Sequence, residues 1–542
     1  MTWVSRRGAC VTAAILVSAV SGGQGQARPE DAAGAVHWPI ACAAEAQAEF
    51  DRGLALLHHM TYPRAREAFQ GVVRLDSQCA MGHWGIAMTL FQPLWPTRPG
   101  VAERRLGWEA AGKAARLVAT DRERLLVEAV ASFFREPESP DYWERIRRWE
   151  QAMSGAYAAF PRDPEITAFY ALAHLASAPA NDDSVAARSL RAEELLLDVY
   201  RQNPGHPGAM HYLVHANDAS GRERSSLDVT QKYEATAPRN PHALHMPTHI
   251  YTRLGDWGAV VRGNLLAAEA ALEHPAGDLG QYVWDEFPHA IEYVVYAYLQ
   301  QGADREAAAQ VRRLHETPQL EPTFKTAFHL ASTRARYTLE RRAWREAAAL
   351  VPREAAGIDW DRFPWPEAVT WYAKGLAAAR ERRNEEARVP AERLAALRER
   401  AATAGEDLFA RNIRILELEV RAWMAHGDGD EPGSVRLARE AAELERATPK
   451  HAVTPGPVLP AHELWGDLLL EQGRSTEALE RYRASLDLYP KRFNSLIGAA
   501  RAAVASGDAV AARRYYQELL AVAAGSDREA ELEEARRFTS AR

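Results

Sequence analysis

One spacing constrains this chain more than any other feature: residues of the same kind recur 34 positions apart. Gly473, Ala478 and Tyr482 return as Gly507, Ala512 and Tyr516, with Pro490 between the two sets. Pro204 and Pro238 are 34 apart, and so are Gly221 and Gly255. A fixed period of this length marks a repeat array whose units cannot bury their apolar faces alone and must stack. The unit reads as a helical hairpin. Glycine closes the first helix, a small alanine lets the second approach, an aromatic fills the space beside it, and proline ends the second helix. Ala, Arg, Glu and Leu dominate the composition, which favours helix. No stretch alternates with the period of two that a strand needs. At 542 residues the chain is far longer than one core serves, so an array of repeats is the natural solution.

This glycine, alanine, aromatic, proline skeleton resembles the tetratricopeptide (TPR) repeat. The expected fold is all-α, a TPR-type α-solenoid: a right-handed superhelix of helical hairpins. With each repeat numbered 1–34, Gly53, Ala65 and Phe69 fit positions 8, 20 and 24 of a first unit, and Tyr298, Gly302 and Ala307 fit positions 11, 15 and 20 of a later one. An N-terminal array spans 44–314 after an extension at 28–43. The stretch 273–285 is too long for a repeat turn and reads as an inserted loop. Residues 315–449 are helical with degenerate repeats, of which Trp344 with Ala347 and Gly375 with Ala387 are remnants. Three prolines and a glycine make 450–460 a non-helical loop, and a C-terminal repeat pair with a tail fills 461–542.

Histidine is distributed unevenly. Nine of the 18 fall between His174 and His289. His211 and His215 are four residues apart, as are His245 and His249, so each pair shares a helix face. The two pairs are 34 residues apart, which makes them neighbours in adjacent repeats. They take positions 5 and 9, with His242 at position 2 and Asp218 at position 12. In the next unit His289, Glu292 and Tyr296 take positions 2, 5 and 9, and His174 takes position 5 of the preceding repeat if its turn is longer. In TPR domains positions 2, 5, 9 and 12 line the concave groove. Neutral imidazole is the commonest transition-metal ligand, so four nitrogens from His211, His215, His245 and His249 would suit zinc or copper. His174, His242, His289, Asp218 and Glu292 are possible additions. The competing reading is that these side chains pack and hydrogen-bond between helices. His58, His59 and His83, near the first repeat, are weaker candidates, and Trp84, Trp95 and Trp108 read as core. No nucleophile elbow, phosphate-binding loop, dinucleotide fingerprint or haem attachment motif is present.

The first 27 residues read as a cleaved signal peptide: a basic Arg6-Arg7, an apolar run from Ala9 to Val20, and a small-x-small site at Gly25–Ala27. That run is too short to span a bilayer. A periplasmic or secreted location follows as an expectation. Two cysteines remain, Cys42 and Cys79, and in an oxidising compartment a disulfide is the natural pairing. A formal net charge of -7, with no cluster of uncompensated Lys and Arg, argues against nucleic acid as a partner.

The longer motifs carry a wider resemblance. FDRGLALLHH (50–59), CAMGHWGIAM (79–88), HPGAMHYLVHA (206–216), HMPTHIYTRLGDW (245–257) and KHAVTPGPVLPAHELWGDLLLEQG (450–473) are similar to a family of exported bacterial TPR-repeat proteins without a characterised function. The resemblance implies fold and export and leaves the activity open. The proline-rich loop is expected to fold over the groove and bring His451 near it. Three functions compete: a metal- or small-ligand-binding scaffold, a module that binds a protein or peptide in the groove, and a metal-dependent hydrolase with Asp218 or Glu292 as proton acceptor.

Overall fold

The computed structural model describes residues 34, 36–95, 98–178, 185–277, 280–355 and 357–540. Among them the chain is an all-α solenoid of TPR type, in which most helices pack against the next and the first helices of many neighbouring hairpins also pack on each other. The repeat skeleton explains this packing. Phe69 at position 24 lies against position 8 of its own repeat and position 6 of the next: a β-carbon on Gly53 would stand 3.0 Å from its ring, and one on Gly85 only 2.3 Å. Tyr482 repeats the arrangement against Gly466 and Gly498, at 2.9 and 2.4 Å. A side chain at either glycine would push adjacent repeats apart. Gly255 closes its helix with φ of +64°, the left-handed cap expected at position 15.

Residues 315–449 depart from the 34-residue period because their hairpins are longer. Pro364–Arg380 pairs with Asn384–Thr403, and Asp407–Gly427 with Glu431–Ala447, helices of 17, 20, 21 and 17 residues. The insertion at 273–285 holds a short antiparallel ribbon, Pro275–Ala276 with Tyr282–Val283. The start of the first helix, Ala44–His58, and that of the helix Ala80–Met88 bring the Cys42 and Cys79 sulfurs to disulfide-bonding distance, with Cα atoms 5.0 Å apart. The proposed signal peptide lies outside the described residues. No described helix is long and apolar enough to cross a membrane.

The array closes on itself. The helix Ala44–His58 packs on Pro207–Asn217, and Glu286–Gln300 packs on Phe493–Ala505. Buried Arg492 is the rivet of the second contact, donating to Glu340 (2.7 Å), Glu463 (3.1 Å) and Tyr296 (3.1 Å). The concave face is therefore not an open groove. The segment Thr448–Pro460 folds into it, and the positions that would face solvent in an open array are buried.

Candidate metal centre

Four helical segments bring the histidine wall together. Pro207–Asn217 begins with proline at its first turn and is capped by His206, whose Nδ1 accepts from the Ala209 amide at 3.1 Å. The next unit starts at Asn240, which caps the Ala243 amide, but its helix is broken in two, Pro241–His245 and Pro247–Leu254. Pro247 lacks the amide that would continue the ladder. The break leaves His245 and His249 facing each other all the same, Nε2 to Nε2 at 2.9 Å. The third unit is the helix Glu286–Gln300, and the fourth is Phe324–Glu340.

The four expected histidines do not form one four-nitrogen set. They divide into two trios, each completed by a position-2 histidine: His211, His215 and His242 in one, His245, His249 and His289 in the other. Within each trio one ligand atom per residue lies within 4.8 Å of the others. His211 Nε2 is 3.1 Å from His215 Nε2 and 3.2 Å from His242 Nε2. All six are buried except His215, which is half-buried.

What separates these rings from ordinary packed histidines is the fate of the other nitrogen. His211 Nδ1–H donates to the His58 carbonyl (2.6 Å), and His242 Nδ1–H to Glu286 (3.1 Å). His245 Nδ1–H donates to Asn264 Oδ1 (2.6 Å), and the orientation of that amide is fixed by its own Nδ2 donating to the Val260 carbonyl. His249 Nδ1–H donates to Asp218 (2.8 Å). His289 Nδ1 meets His329 Nε2 at 3.0 Å, and His329 Nδ1–H is in turn held by Glu292, so against a neutral His329 ring it is His289 that donates. In five of the six rings the proton is thereby locked on Nδ1, and a bare Nε2 lone pair is left. Two pairs, His211 with His242 and His245 with His249, then set lone pair against lone pair.

Burial disfavours the charged form of five of these rings. His211, His215, His245 and His289 are pushed well below the ordinary histidine range by desolvation first, and then by neighbouring cationic or imidazole groups. His249 is lowered by burial and by Lys450. The carboxylates stand one bond further out and are each neutralised. Burial alone would raise Asp218 and Glu286, but Lys450 and Arg253 hold the first low, and Lys325 and His242 the second.

Several expectations are corrected by this geometry. His174 is apart from both trios, bound to Glu150 at 2.7 Å. Asp218 and Glu292 stand outside both trios, and each is held in ion pairs. Asp218 accepts from His249, Arg253 (2.9 Å) and Lys450 (2.8 Å), and Glu292 from His329 and Arg336 (2.9 Å), which leaves neither free to take a substrate proton. His451 sits among Phe324, Trp365 and Phe409, away from the trios. Lys450 is the loop residue that reaches the site, and Arg336 ties Thr454 (2.8 Å) of the loop to Glu292. Trp84 is core as expected, whereas Trp108 is exposed and Trp95 stacks beside His242. The space that would hold a peptide is taken by the chain's own 448–460 segment, beside which lies a cavity of about 830 Å³ bordered by His215, Asp218, Arg253, Lys450, Trp95 and Trp143.

No family model matches the chain, and no curated protein matches it. Among solved structures it is similar to an IFIT1 monomeric mutant with Gppp-AAAA, at 13% identity and a TM-score of 0.36, over 89% of this chain and 97% of that one. It is also similar to yeast Tom70 (11%, TM-score 0.28, 91% and 95% covered) and to a chain of the APC/C hetero-tetramer Cut9-Hcn1 (13%, TM-score 0.28, 91% and 96% covered).

Proposed function

We propose that this chain is an exported TPR-type protein that binds transition-metal ions, zinc or copper, on the trios His211/His215/His242 and His245/His249/His289. One observation carries the reading: buried, neutral rings present bare Nε2 lone pairs to one another at 2.9–3.2 Å. Two lone pairs at that distance make no hydrogen bond and repel unless a cation lies between them. With metal–nitrogen bonds of about 2.0–2.1 Å, adjacent ligands at 90–110° stand about 2.9–3.4 Å apart, which matches. The Nδ1 contacts to carboxylate, amide and backbone oxygens are the outer shell that orients metal-bound histidine and raises its basicity. Both candidate proton acceptors are tied up in ion pairs, so binding is favoured over hydrolysis. A peptide partner in the groove is disfavoured by the loop that fills it.

The test is metal content and affinity. Purified chain, stripped and then titrated with Zn(II) or Cu(II), should take up metal, and His242→Ala and His289→Ala should each take up less while keeping helix content. No uptake by the folded wild-type chain would defeat the reading and leave the rings sharing trapped protons. Export predicts a mature chain lacking the first 27 residues, with Cys42 joined to Cys79. Intact mass should therefore show no alkylation before reduction and two alkylated cysteines after it.

A further inference from the structure

We infer that the two trios are halves of a single dinuclear centre, that copper is the metal it is built for, and that a small anion entering past His215 bridges the pair. This rests on the metal-binding reading above. The trios are neighbours along two separate edges: the His215 and His249 rings are 6.2 Å apart centre to centre, and the His242 and His245 rings 6.1 Å. Rings this close on two edges leave room for ions on the two trios to approach the spacing of two-metal sites, about 3.5–4 Å, at which they share a ligand.

The donor set points to the metal. Every ligand is a neutral imidazole, with no thiolate and no carboxylate in either trio. Imidazole suits copper and zinc and disfavours magnesium, calcium and manganese, and copper heads the divalent affinity order. Three protein ligands per ion leave a coordination position open on each. The route to those positions is specific. His215 is the one trio member that is not fully buried, and it lines the 830 Å³ cavity together with Asp218, Arg253 and Lys450. Lys450 and Arg253 already bind Asp218, and together they outweigh its charge. The rim therefore favours an anion, and two facing metal ions favour a small one that spans them.

The experiment loads the full chain with Cu(II) and measures copper per chain together with the quantified electron paramagnetic resonance signal. A bridged pair binds two ions per chain and is nearly silent, because the two unpaired spins couple. His215→Ala, a change on the cavity wall, should leave one ion per chain and restore the signal of one isolated copper. His289→Ala is the matched lesion in the other trio and should do the same. Azide, as the probe anion, should perturb the absorption of the wild-type pair. Two ions per chain with full, independent signals, or one ion per chain in the wild type, overturn the dinuclear inference and leave metal binding standing. Absence of copper uptake fails the metal reading itself.

Discussion

Two groups of three buried side chains in this molecule look alike and are opposites. His58, Glu165 and His206 form a clasp in which one carboxylate accepts from two rings, His58 Nε2–H at 2.7 Å and His206 Nε2–H at 3.0 Å. The remaining nitrogens are also satisfied: His58 Nδ1 accepts from the Tyr212 hydroxyl (3.0 Å) and His206 Nδ1 from the Ala209 amide. Every donor meets an acceptor, and burial of the group is compensated. In five of the six trio rings the donor points outward and the acceptor points inward. Clustering of histidine is therefore a poor guide to a metal site. The tautomers, read from the second nitrogen, distinguish a structural clasp from a set of ligands.

Acid should separate the two groups most strongly. His211, His215, His245 and His289 titrate near the ordinary value in the unfolded chain but well below it when folded, so the unfolded state binds more protons as pH falls. Stability of the metal-free protein should then drop from about pH 6.5 downward, by up to about 1.4 kcal/mol per pH unit for each such ring. Burial alone would raise Glu165, but His206 and His58 hold it low, so its contribution is present at neutral pH and is lost only below about 4.5. Urea unfolding between pH 7 and 4 should show the first limb without the second. A flat profile down to pH 5 would mean that the trio rings are not neutral.

Breaking the clasp comes next. Glu165→Ala strands two buried donors and should cost about 3–5 kcal/mol, equally with and without metal. His242→Ala should do the reverse. It should cost the metal-free protein little, because a repulsive contact disappears, yet reduce the metal-dependent rise, which is about 2.7 kcal/mol per bound ion at a hundredfold excess over Kd. Thermal unfolding of both variants with and without Zn(II) checks both. Equal losses in the two would erase the distinction. Smallest of all, His174→Ala should cost no more than about 1 kcal/mol and leave metal uptake unchanged, since its partner Glu150 is also held by Arg188 at 2.6 Å.

The repeat spacing made much of this legible. Because equivalent positions in stacked hairpins are neighbours, the 34-residue offset between His211/His215 and His245/His249 placed them side by side before any coordinates. The same register put His242 and His289 on that wall. Three things escaped it. His329 lies 37 residues beyond Glu292, three more than one repeat, because the intervening turn is longer. The Glu165 clasp joins residues 107 and 41 apart, the first separation set by closure of the array and the second by a repeat longer than 34 residues. Pro247 broke a helix that the i,i+4 reading took as continuous, although the two rings still meet. The middle hairpins hid their period by adding turns.

The loop that reaches the centre also sets an order in time. Thr454 follows Tyr293, its partner in the site, by 161 residues, so all six histidines are synthesised long before the segment that covers them exists. During that interval the trios are exposed. Once Lys450 has docked on Asp218 and Arg336 has bound the loop carbonyls, whatever lies inside leaves only as fast as those contacts open. A metal captured early would then be held by kinetics as well as by affinity, and its exchange with an added chelator would report the opening rate of the 448–460 segment.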